Sequence, residues 1–239
     1  MRAVESLSAP IAIFGDLDAD VWGVVIGGGT PQLAVAGITT ADVELRPVDL
    51  DLEDGEIWTL TGSGYAMRVE RATATTTTDP GDAGLEPCRV SGAATIEGVE
   101  RELDVGGIRH AGLGLEGTDS LRLFASWFPA GHEVALLAAR PQGAKGQDRD
   151  TVGVIARGEE HPLVVDPRLS TTYDHTGEPR RVGIELWLGA DEEGELWPRR
   201  VAGTATGSRV DRPGFSAHAF ACASRGETGA GIYVLARRP

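Results

Sequence analysis

The sequence predicts an all-β protein, an antiparallel barrel or sandwich. Three observations lead there. Short runs rich in Val, Ile, Leu and aromatic residues follow one another along nearly the whole chain. Gly and Pro, 33 and 13 of the 239 residues, separate those runs without a fixed period. No stretch keeps the apolar spacing of a long helix.

In chain order, strands are expected at 11–15, 21–26, 33–39, 43–48, 57–61, 65–71 and 89–96. Others are expected at 99–105, 108–113, 121–128, 133–139, 151–156, 163–165, 181–188, 199–207, 215–223 and 231–236. The links are turn chemistry: Asp54 with Gly55, Glu97 with Gly98, and Pro129 to Gly131 suit tight reversals, so neighbouring strands run antiparallel. Segment 75–84, a Thr run followed by Asp-Pro-Gly-Asp, reads as a strand end and then a loop, and marks the best candidate boundary. Segment 140–150 reads as a long loop, and Asp166-Pro167-Arg168 as a turn.

Alternation supports a barrel wall. Val182, Ile184, Leu186 and Leu188 form one aliphatic face, with Glu185 and Trp187 on the other. Phe215, Ala217, Ala219 and Ala221 oppose Ser216, His218, Phe220 and Cys222. One face then packs outward against neighbouring elements while the other lines a cavity.

Acidic residues outnumber basic ones 36 to 22, for a net charge of −14. That balance disfavours nucleic acid and anionic membranes, both of which select basic patches. No apolar run reaches the roughly 18 residues that a membrane-spanning helix needs, so no membrane span is expected. The first ten residues lack the apolar core of a signal peptide. Cys88 and Cys222 lie far apart outside any metal or redox motif, as expected of buried thiols in a reducing, cytoplasmic compartment. A single lysine, Lys145, among 22 basic residues suggests a GC-rich, bacterial genome.

Most catalytic motifs fail. Gly27-Gly28-Gly29 follows a strand but lacks phosphate-loop spacing and a following helix. Asp16, Asp18 and Asp20 start like a calcium loop, but Val21 and Gly27 occupy the required Gly and acidic positions, leaving a solvated acidic turn. His110, His132, His161, His175 and His218 form no close ligand pair. No cofactor or metal is expected. The aromatics say more: Trp127, Trp187 and Trp197, with Tyr173 in a loop between strands, can pave an apolar cavity or simply fill a core. Glu185 becomes a candidate acid if it faces that cavity, because burial would raise its pKa. Arg109 is expected to pair with Asp104 or Glu116 and fix its turn.

The stretch TIEGVERELDVGGIRHAGLG at 95–114 resembles the start of the second half of the AttH-like and carotenoid 1,2-hydratase superfamily. Those proteins commonly carry a G-x-R-D-H-S-W-G segment there. Gly107, Arg109 and Gly114 match it, while His110, Ala111 and Leu113 stand where the pattern has Asp, His and Trp. Further similarity runs through LRLFASWFPAGHEVALLAARP, VDPRLSTTYDHTGEPRRVGIELWL and WPRRVAGTATG. The resemblance implies two lipocalin-like β units, an abbreviated one at 1–94 and a barrel at 95–239. It also implies hydration or cyclisation of isoprenoid or polyene substrates.

Three readings follow. The first is a hydratase, isomerase or cyclase acting on a hydrophobic small molecule. Its catalytic candidates are His110, Tyr173, Glu185 and His218, and its ligand-binding candidates are Arg109, Trp127, Trp187 and Phe220. The second is a carrier or sensor using the same pocket without turnover. The third is a structural or interaction module whose core is filled by side chains. The sequence does not reveal the oligomeric state.

Overall fold

The computed structural model describes residues 9–53, 55–72, 77–78, 84–145, 150–157, 164–188 and 198–238. Every regular element among them is a strand. The first set comprises β1 (Ala9–Asp16), β2 (Val21–Ile26), β3 (Gln32–Ala36), β4 (Arg46–Pro47), β5 (Asp49–Glu53), β6 (Ile57–Gly62), β7 (Tyr65–Arg71), β8 (Thr77–Thr78), β9 (Leu85–Ile96) and β10 (Val99–Leu113). It is followed by β11 (Thr118–Trp127), β12 (Glu133–Pro141), β13 (Thr151–Arg157), β14 (Val164–Tyr173), β15 (Pro179–Leu188), β16 (Pro198–Arg212), β17 (Phe215–Ser224) and β18 (Glu227–Arg237).

They form two antiparallel, barrel-shaped sheets. One has the order β4-β3-β2-β1-β10-β9-β7-β6-β5, the other β14-β15-β16-β17-β18-β11-β12-β13-β8. The edge strands of the first, β4 and β5, are joined through Val48, whose N–H bonds Pro31 O at 3.0 Å, so that sheet curls back on itself. The second has β14 and β8 as its edge strands.

Several local expectations change. Segments 99–105 and 108–113 are one strand, because Gly106 and Gly107 continue the pairing opposite Arg89 and Cys88. Asp166-Pro167-Arg168 lies inside β14 and is no turn; β14 is an edge strand, where a missing proline N–H does no harm. Only Arg46 and Pro47 pair within 43–48, and Asp49–Glu53 forms a strand the acidic composition hid. β8 belongs to the second sheet, β9 and β10 to the first and β11 onward to the second, and residue 95 lies in the β9–β10 hairpin. Glu97 and Gly98 both take positive φ there, 53° and 80°, as a two-residue hairpin turn requires.

Alternation sorts the apolar side chains into three cores. Phe14, Trp58, Leu60, Met67, Val90 and Ile96 fill the first barrel. Phe124, Leu136, Ile184, Leu186, Phe220 and Tyr233 fill the second. Ile13, Trp22 and Val24 of the first sheet meet Leu123, Ala125, Ala219 and Ile232 of the second along a seam. Each fully buried Val, Leu, Ile, Phe or Met among them contributes about 1.5–3 kcal/mol. Polar contacts fix how the sheets meet: Trp22 Nε1 donates to Ser208 Oγ at 2.7 Å, and Val43 N donates to Arg209 O at 2.7 Å.

Candidate functional site

Apolar side chains pack inside both barrels, and cavities open at the ends and edges of the sheets. One cavity, about 280 Å³, opens at the end of the seam where β1 leaves the sheet. Gly15 and Asp16 supply one wall, Trp127, Phe128, His132 and Glu133 another, and Gly106 and Gly229 the floor. Trp127 ends β11 opposite Glu133, which starts β12. The turn between them is closed by Phe128 N donating to His132 O and Gly131 N to Phe128 O, both at 3.0 Å.

Two glycines seat the indole. A Cβ at Gly106 would stand 2.9 Å from the Trp127 ring. One at Gly229 would stand 2.1 Å from Trp127 O, closer than any real contact. Asp16 is held by the backbone, accepting from Asp18 N at 2.8 Å and Ala19 N at 3.0 Å. Glu133 is buried, and its charge helps burial push the Cys88 thiol upward. Among the described residues, Trp127 Nε1 and His132 Nδ1 are buried polar atoms without a hydrogen-bond partner. Ser126 Oγ and Trp187 Nε1 are others, so it is their place in the cavity lining that sets Trp127 and His132 apart.

Of the eight residues singled out from the sequence, only Trp127 lies in this cavity. Tyr173, His218 and Phe220 gather instead around Tyr233 in the second barrel. Tyr173 ends β14 rather than lying in a loop, and its hydroxyl meets that of Tyr233 at 2.8 Å. Phe220 packs with its ring centroid 6.3 Å from that of Tyr233, and His218 lies opposite Tyr233 in the ladder. Burial lowers the His218 pKa from 6.5 to about 4, opposed by Asp211 and reinforced by Arg209 and Arg180. Beside this group, where β13 and β14 part, a cavity of about 440 Å³ is lined by Arg122, Arg140, Asp150 and Arg168. Asp150 pairs there with both Arg122 and Arg140.

The others serve elsewhere. Arg109 is buried at the rim of the first barrel. It donates to Glu86 at 2.9 Å and to the carbonyls of Glu56 and Gly55 at 2.8 Å each, and lies 5.3 Å above Trp58. Its carboxylate is therefore Glu86 and not Asp104 or Glu116; Asp104 pairs with Arg89. His110 Nδ1 accepts from Gly112 N at 3.0 Å. Glu185 does not face a cavity: it lies on the outer face of β15 and pairs with Arg200 at 3.0 Å. Trp187 shares that face, under Arg168 at 5.8 Å. Trp197 and His161 lie outside the described residues.

The chain has the fold of CghA and kievitone hydratase. The CghA structure aligns with a TM-score of 0.61 at 10% identity, covering 97% of this chain and 88% of CghA. A CghA structure with Sch210972 aligns at 0.59 and 9% identity, with the same coverage. Kievitone hydratase from Nectria haematococca aligns at 0.57 and 10% identity, over 96% of this chain and 89% of that one. No protein-family model and no curated protein matches the chain. At these identities the likeness is one of fold, and it agrees with the lipocalin-like architecture that the 95–114 stretch implied.

His132 and Asp16 were visible in the sequence only as failed metal motifs. The missed signal is the WFPAGHE corner, whose tight reversal returns His132 and Glu133 to the strand end that carries Trp127.

Proposed function

We propose that this protein is an enzyme acting on a hydrophobic small molecule, by hydration, isomerisation or cyclisation, in the cavity at the β1 end of the seam. The carrying observation is one cavity lined by Trp127, His132 and Asp16, in which both rings carry a buried, unpartnered nitrogen. The indole N–H is a donor only, so it suits an oxygen on the substrate. The imidazole can accept or return a proton at that oxygen or at an adjacent carbon. In a hydration, one carbon of a double bond takes the proton and its neighbour takes the hydroxyl of water, with Asp16 placed to orient that water. That one protein of the same fold is a hydratase supports the reaction class. Isoprenoid and polyene substrates follow from the resemblance at 95–114. The buried free thiols of Cys88 and Cys222 support a cytoplasmic setting.

The test is a panel of oxygenated isoprenoids and polyenes incubated with the protein. Products are followed by mass spectrometry for gain of one water and by chromatography for isomers. The reading expects turnover that His132→Gln abolishes, while Trp127→Phe raises KM. Binding without turnover by the wild type would make the protein a carrier. Turnover unchanged in both variants would move the chemistry elsewhere.

A further inference from the structure

The seam has a second opening at its opposite end, of different character. A cavity of about 250 Å³ lies between the start of β1 and the β16–β17 turn. Its walls are apolar: Ala9, Ile11, Ile26, Leu115, Leu121 and Phe215. One charged side chain lines it, Arg212 at the end of β16.

The partners of Arg212 are neutral. Nη1 donates to Gln32 Oε1 at 2.7 Å, and the guanidinium lies 5.2 Å above the Phe215 ring. Among the described residues no carboxylate is within ion-pair distance of it. The adjacent Asp211 pairs with Arg209 at 3.2 Å, and Asp119, in the neighbouring β11, accepts from Gly143 N at 3.0 Å. Burial weakens the arginine's hold on its proton, and no acid offsets this. One more cation reaches the rim: Arg238 Nη2 donates to Leu115 O at 2.9 Å.

A half-buried cation with spare N–H donors and no counter-charge is unfavourable unless something pairs with it. A carboxylate fits the planar guanidinium two-pronged. The apolar walls select an alkyl chain behind it. We propose that this cavity binds a monocarboxylate with an apolar tail, its carboxylate on Arg212 and its chain against Ile11, Ile26 and Leu121. The site is separate from the proposed reaction cavity: the filled seam core, with Ile13, Val24 and Ala125, lies between them.

Octanoate is the probe, with octan-1-ol as its uncharged counterpart, by isothermal titration at neutral pH. Octanoate is expected to bind more tightly than octanol. Arg212→Gln should weaken octanoate by about tenfold to a hundredfold, the range for hydrogen bonds to a charged group, and leave octanol unchanged. Ala236→Phe, which fills the cavity, should abolish both, and His132→Gln should alter neither, so this site stands or falls apart from the reaction cavity. A measurement on the wild type needs no variant: the ¹³C carboxyl signal of bound octanoate should titrate at lower pH than that of free octanoate. Octanoate binding no tighter than octanol, an unaffected Arg212→Gln variant, or an unshifted carboxyl titration would each overturn the proposal.

Discussion

Replacing Arg109 with Met should destabilise the fold without touching the chemistry. The arginine side chain is 1% exposed and makes one ion pair and two bonds to backbone carbonyls. Met restores much of the apolar stem over Trp58 but none of the donors. Breaking a buried pair by removing one partner typically costs about 3–5 kcal/mol. Glu86, however, keeps 29% exposure and a second partner in Arg71 at 3.4 Å. The carbonyls of Gly55 and Glu56 belong to exposed turn residues that water can reach. Both facts place the loss at the low end, about 3 kcal/mol, or a fall in Tm of about 6–12 °C for a chain of this size. Urea unfolding followed by Trp fluorescence measures it. Arg89→Met, which breaks the exposed Arg89–Asp104 pair, should leave the midpoint essentially unmoved. A loss below about 1 kcal/mol for Arg109→Met would refute the view that this arginine holds the barrel rim. Loss of turnover in the folded variant would return it to the active site.

Other outcomes follow from the same geometry. His218 has a folded pKa of about 4 against 6.5, so on acidification the unfolded chain takes up the proton first. Stability is full above pH about 6.5 and falls as the pH drops toward 4, by up to about 3 kcal/mol; unfolding curves of His218→Gln should lack that part of the slope. Gly229→Ala should cost about 1–3 kcal/mol and displace Trp127, read by denaturation and by the Trp emission maximum. Trp127→Phe, by contrast, should leave the ligand-free stability within about 1 kcal/mol, because it removes a buried donor that has no partner. Burial pushes the Cys222 thiol up to about 12 and Cys88 higher still, so a thiol reagent should label neither in the native protein and both on unfolding.

Much of the fold was legible in the sequence because strands with one buried face alternate, and β2 and β7 match the expected runs at both ends. The errors have physical causes. Pro167 reads as a turn because proline cannot donate, yet an edge strand asks for no donor there. Gly106 reads as a break, yet it marks where the strand makes room for Trp127. The expected site was less legible. Alternation tells which residues share a face, but not whether that face meets a cavity, a filled core or solvent. Glu185 and Trp187 lie outside, Phe220 lies in a filled core, and Arg109 holds a rim. Trp127, which the sequence offered for a cavity wall or for a core, lines the cavity at the β1 end beside His132, to which only a tight turn connects it.

Native mass spectrometry of the purified protein, with extraction of any bound small molecule, tests the central claim most directly. An apolar, oxygenated ligand is expected on the wild type, depleted in both Trp127→Phe and His132→Gln. A ligand retained equally by those two variants would contradict the account, and so would a wild type that stays empty when offered the full substrate panel.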